Sequence, residues 1–169
     1  MNNIDFAIEF ATKKFDEVSI KNHFLDVFSI LKNEFEIIDE NILIAGILHD
    51  TLEDTNTSLD ELKNVFNVEI ANLVQEISHP KNYNDQQRVE YYQKLKIISD
   101  SAKLIKLADF ASHLRNFVKI YERKEQHLYP KFVNNDKYVK SIDDFLESCA
   151  DTRAKIIVSD LNKKLDGLL

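Results

Sequence analysis

A chain of 169 residues with one cysteine, two glycines and two prolines is not a disulfide scaffold, and it lacks the glycine-rich loops that cradle phosphates. A net charge of −7 argues against a general nucleic-acid binder, and the longest apolar run, Ile42 to Leu48, is far too short to span a membrane. With no signal-peptide pattern at its start, the sequence reads as one soluble, cytoplasmic domain over residues 1–169.

Scarce glycine and proline with abundant Leu, Ile, Lys, Glu and Asp favour helices joined by polar loops. Ile4, Ala7, Ile8, Ala11 and Phe15 recur at helical spacing and predict a first helix. A second is expected over about Ser19 to Phe35, with Val27, Ile30 and Leu31 on its inner stripe. Asp39 is placed to cap a third, which runs to His49 and is apolar all round, so it belongs at the centre of the core. A polar loop from Thr51 to Thr57 follows. Ser58 and Glu61 then form a capping box that opens a helix carrying Leu62, Phe66, Ile70, Leu73 and Ile77.

The run His79-Pro80-Lys81-Asn82 interrupts the pattern, and a helical stretch from Gln86 to Ile98 carries Tyr91, Tyr92 and Leu95. Asp100 or Ser101 caps a long helix through Ala102, Ile105, Ala108, Ala111, Leu114 and Val118. One or two further helices are expected after Pro130.

Four side chains fall on inward stripes. His23 precedes Val27 by four residues, His49-Asp50 ends the most apolar helix, and Asp109 follows Ile105 by four on another core helix. A carboxylate near a core seam is costly unless it is paired, protonated or metal-bound. Two imidazoles and two carboxylates from three helices suit a borderline divalent cation, and the C-terminal end of a helix favours one. Spacing alone leaves other readings open: His23 as a satisfied core histidine, Asp50 as the start of a loop, Asp109 paired with Lys106 or Arg115.

The stretch Ile44-Ala45-Gly46-Ile47-Leu48-His49-Asp50-Thr51-Leu52-Glu53-Asp54-Thr55 resembles the signature of the RelA/SpoT hydrolase domain and the small alarmone hydrolases, within the HD superfamily of metal-dependent phosphohydrolases. The likeness returns at Ala102 to Asp109 and covers residues 4 to about 120, leaving the helices from about 121 to 169 outside it. It implies an all-α, HD-type helical bundle of roughly seven to nine helices. It implies metal ligands His23, His49, Asp50 and Asp109, with Mn²⁺ the favoured ion, and Glu53 and Asp54 as the catalytic pair. Arg88 and His113 are the implied substrate contacts.

The implied reaction is hydrolysis of a phosphoester or pyrophosphate bond in a small nucleotide, with guanosine 3′,5′-bis(diphosphate) the leading substrate. The alternatives are a phosphatase for another nucleotide, or a metal- and nucleotide-binding module without turnover. Neither a nucleic acid nor a membrane is an expected partner, and the sequence does not give the oligomeric state. Two departures from the family stand out. The segment before His23 has no Arg-Lys pair and no Tyr, although Lys13, Lys14 or Lys21 could supply charge, and His113 stands where the family tends to have Asn.

Overall fold

Apolar stripes at helical spacing form α-helices throughout the computed structural model, which describes residues 3–18, 23–79, 84–128 and 136–169 and holds no strand among them. The expectations for Ser19, Lys21, Pro80, Lys81, Asn82 and Pro130 lie outside the described residues.

Helix α1 spans Asn3–Asp16 and buries Ala7, Ala11 and Phe15. Helix α2, His23–Ser29, runs into a π-helical turn over Ile30–Glu34, closed by the Phe35 amide on the Ile30 carbonyl. Such turns reset the side-chain register inside a helix. Here the chain then leaves through Glu36, whose φ is 59°.

Helix α3, Glu40–Leu48, is capped by Asp39, whose carboxylate accepts the Asn41 and Ile42 amides. Every residue from Ile42 to Leu48 is buried. Its glycine has a packing reason, because a Cβ at Gly46 would collide with the Leu31 side chain of the neighbouring π turn.

Two expected elements differ from the sequence reading. Thr51 to Asp54 forms a single helical turn, α4, instead of continuing as loop. The buried Thr51 hydroxyl donates to the Leu48 carbonyl, and Thr55 Oγ1 returns to the Thr51 carbonyl, so side chains hold the turn closed. The helix expected from Ser58 through Ile77 is divided into α5, Leu59–Val65, and α6, Val68–Ile77. The break falls at Asn67, whose side chain accepts the Ile70 amide and starts a new helix.

Helix α7, Asp85–Leu95, opens with a reciprocal capping box between Asn84 and Gln87. Helix α8, Asp100–Glu122, is capped by Ser99, one residue earlier than expected. Helices α9, Asp136–Leu146, and α10, Thr152–Asp166, close the fold. α8 is the central pillar, packing on α2, α3, α6 and α10. Its buried residues include Asp109 and Ser112, polar groups inside an apolar seam, which call for partners.

Candidate functional site

Asp109 projects from the middle of α8 and only 4 % of the residue is exposed, so each carboxylate oxygen requires a donor or a cation. Oδ2 takes the Lys106 ammonium at 2.7 Å. Oδ1 is ringed by imidazoles: His113 Nδ1 at 2.8 Å, His23 Nε2 at 3.0 Å and His49 Nε2 at 3.8 Å. These contacts hold Asp109 well below the usual carboxylate range: burial opposes ionisation, and the charges of Lys106 and His113 outweigh it.

His49 sits at the C-terminal end of α3, where the carbonyl dipoles favour positive charge. Its Nδ1–H donates to the Gly46 carbonyl at 2.9 Å, which fixes the tautomer and leaves Nε2 with a lone pair. Nε2 faces Asp50 Oδ2 at 3.0 Å but is misaligned for a hydrogen bond, and as a buried nitrogen it has none. A lone pair aimed at two carboxylates is repulsive unless a proton or a metal lies between them. Burial disfavours the charge, but Asp50 and Asp109 overcome it and raise His49 to about 9.

Asp50, the residue preceding α4, is lowered in turn: burial works against its charge, and His49 prevails. His23 opens α2 and crosses to α8, with Nε2 on Asp109 and Nδ1 3.1 Å from Ser112 Oγ. The His23 and His49 rings stand 5.3 Å apart at 70°.

The ligand atoms of His23, His49 and Asp50 lie within 4.8 Å of one another, as do those of His23, Asp109 and His113. Nitrogen and carboxylate donors in two triads that share His23, with a buried imidazole nitrogen that lacks a hydrogen bond, fit a borderline divalent cation. Of the two salt-bridge partners the sequence offered Asp109, Lys106 takes that role, whereas Arg115 pairs with Glu34.

Glu53 and Asp54 occupy α4, one turn beyond His49-Asp50. Glu53 is clamped by a single residue, His79: the backbone amide donates to Oε1 at 3.0 Å and ring Nε2 meets Oε2 at 2.7 Å. Asp54 is more exposed, and its carboxyl is raised by partial burial and by the charges of Asp50 and Glu53. The two implied substrate contacts part company. His113 lies at the mouth of the cluster, its ring 4.6 Å from His23 and its side chain 42 % exposed. Arg88 is on the exposed face of α7, three residues before Tyr91.

His79, Ser112 and Tyr91 join the site without having been singled out as site residues from sequence. Ser112 follows Asp109 by three residues on α8, so helical spacing contained that signal. His79 carried none, because its reach to Glu53 depends on how the end of α6 docks beside α4.

Residues 4–135 match the HD domain family. The zebrafish protein named guanosine-3′,5′-bis(diphosphate) 3′-pyrophosphohydrolase MESH1 is 41 % identical over 99 residues, covering 56 % of this chain and 53 % of that protein. Its Drosophila melanogaster namesake is 37 % identical over 105 residues, covering 59 % and 56 %. The chain thus spans about half the length of the curated relatives it matches. A solved structure described as a metazoan ortholog of SpoT that hydrolyses ppGpp superposes with a TM-score of 0.78 at 23 % identity, covering 100 % of this chain and 98 % of that one. A Listeria monocytogenes structure, lmo0812, gives 0.70 at 18 % identity, covering 86 % and 97 %. At those identities the likeness is one of fold.

Proposed function

Because the chain belongs to the HD domain family, we propose that it is a metal-dependent phosphohydrolase acting on guanosine 3′,5′-bis(diphosphate) at its 3′-pyrophosphate. The observation that supports this reading is the pair of ligand triads that share His23, one with His49 and Asp50 and one with Asp109 and His113, with Glu53 fixed one turn beyond His49. His23, His49, Asp50 and Asp109 would hold the metal, with Mn²⁺ the proposed ion. When bound, it would lower the pKa of a coordinated water and so supply the nucleophile.

The chain's own residues do the rest. Glu53, held by two donors, is placed to orient the water and accept its proton. Asp54, with its carboxyl raised, is suited to give a proton to the departing 3′-oxygen. The products are then guanosine 5′-diphosphate and pyrophosphate. With Nδ1 engaged by Asp109, His113 keeps Nε2 for the substrate sugar or phosphate, and Arg88 supplies a guanidinium for phosphate oxygens.

Residues 1–169 act as one domain in this reading, since α8 carries Asp109 and also packs along α10. The proposed setting is cytoplasmic, with a nucleotide as partner and neither nucleic acid nor membrane. No helix among the described residues is long and apolar enough to cross a membrane.

One observation favours a second reading. The segment before His23 lacks the Arg-Lys pair and the Tyr of the alarmone-cleaving enzymes, so another nucleotide could be the substrate. Incubating the Mn²⁺-loaded protein with guanosine tetraphosphate and a panel of nucleoside mono- and triphosphates separates the two. Pyrophosphate release from the alarmone supports the first reading. Orthophosphate from simple nucleotides, with the alarmone untouched, replaces it with the second.

A further inference from the structure

We propose that His79 is a positioning residue that sets the working orientation of Glu53. The inference rests on the reading of Glu53 as the water-orienting carboxylate.

Glu53 stands on a one-turn helix and has three side-chain torsions to fix, yet its side chain is only 11 % exposed. His79 meets both of its oxygens, the backbone amide at 3.0 Å and ring Nε2 at 2.7 Å. An ionised carboxylate only accepts, so the proton of this second contact resides on Nε2. Two donors from one residue fix the plane of the carboxylate as well as its position. They leave its remaining lone pairs for a third partner.

The clamp is itself supported. The His79 ring stands edge-on to Tyr91 at 5.3 Å and 80°, and Tyr91 is buried with its hydroxyl donating to the Ile77 carbonyl at 2.5 Å. Helix α7 thereby orients the imidazole, and the imidazole orients Glu53. A carboxylate misplaced by a fraction of an ångström loses much of its effect on the attacking water.

A purely structural strap between α4 and the end of α6 would use the same contacts, so the test must isolate the path through Glu53. Steady-state hydrolysis of guanosine tetraphosphate by the Mn²⁺-loaded wild type is compared with His79→Ala, His79→Gln, Glu53→Gln and the double variant His79→Ala/Glu53→Gln. His79→Ala is expected to lower kcat about 10- to 100-fold, with KM and bound metal unchanged. His79→Gln, which keeps an amide donor, should recover most of the loss and also covers the case in which the alanine variant does not fold. In the Glu53→Gln background, His79→Ala should add nothing.

Wild-type kcat in His79→Ala, or a loss that multiplies with that of Glu53→Gln, overturns the inference. Full turnover by Glu53→Gln overturns the catalytic reading of Glu53 instead. A second measurement does not depend on turnover: in the Zn²⁺-loaded protein the ¹H–¹⁵N signal of His79 Nε2 should move on Glu53→Gln, and an unmoved signal overturns the pairing.

Discussion

Ser112 Oγ lies 3.1 Å from His23 Nδ1, so α8 supplies both a carboxylate to one nitrogen of that imidazole and a hydroxyl to the other. Partners on the far side of a metal-binding imidazole fix its tautomer and aim it, and losing one typically costs 10- to 100-fold in metal affinity. Ser112→Ala is therefore expected to weaken Mn²⁺ binding about tenfold, read by competition with a chelator. Ser112 is buried, and a tenfold loss of affinity removes about 1.4 kcal/mol of metal-linked stability, so the melting temperature should fall further in the metal-loaded protein than in the metal-free one.

Lys106→Met probes the opposite oxygen of Asp109. The ammonium lies 2.7 Å from Oδ2 and over the rings of Tyr91 and Phe110, at 5.6 and 5.1 Å. Lys106 is raised well above the ordinary lysine value: burial works against its charge, and Asp109 with Tyr91 outweighs burial. Removing the lysine leaves a buried carboxylate short of its main cation, a loss of about 3 kcal/mol. Urea unfolding should show this loss in the metal-free protein and a smaller one at saturating metal, where the cation compensates Asp109. Equal losses with and without metal would show that a bound cation does not take over the compensation of Asp109.

Much of this site was legible before any coordinates. His23, His49, Asp50 and Asp109 lay on inward faces of helices whose apolar partners fixed the periodicity; spacing left their roles open, and the fold brings His23 beside His49 and Asp50 and also beside Asp109. α4 was not legible, because its turn is held by the Thr51 and Thr55 hydroxyls, and a four-residue turn carries no periodicity. The division of α5 from α6 was hidden for a related reason: Phe66, Ile70 and Leu73 stay in helical register across the cap at Asn67. His79 was invisible for a third reason, since its partner is 26 residues away and their meeting is tertiary.

The pairing of Glu34 with Arg115 makes a pH prediction away from the metal. Both guanidinium nitrogens reach the carboxylate, at 2.6 and 2.5 Å, tying the π turn to α8. The Arg115 hydrogen bonds hold Glu34 below its ordinary 4.5, against an opposing contribution from burial. A carboxyl depressed in the folded state stabilises fully above its unfolded value, and that contribution fades as pH falls through the folded one. Wild type should therefore lose more stability than Glu34→Gln between pH 7 and pH values below about 4.5, measured by urea unfolding. Both side chains are about one-third exposed, at 34 % and 33 %, so solvent screening keeps the difference small and added salt should shrink it.

Phe145→Ala tests how far the C-terminal helices belong to the site. Phe145 on α9 is fully buried and meets Phe110 edge-on at 5.5 Å and 78°, and Tyr138 does the same at 5.9 Å and 81°. Phe110 is the next residue after Asp109, and its ring also lies under the Lys106 ammonium. α9 thus packs against the segment of α8 that presents the central carboxylate. Emptying the Phe145 position should cost about 3–5 kcal/mol in urea unfolding. If α9 only covers the core, metal affinity should survive in the folded fraction. If it also sets the pitch of α8 at Asp109, as Phe110 implies, chelator competition should show weaker binding even well below the unfolding midpoint, and Phe145→Leu, which refills most of the volume, should restore it.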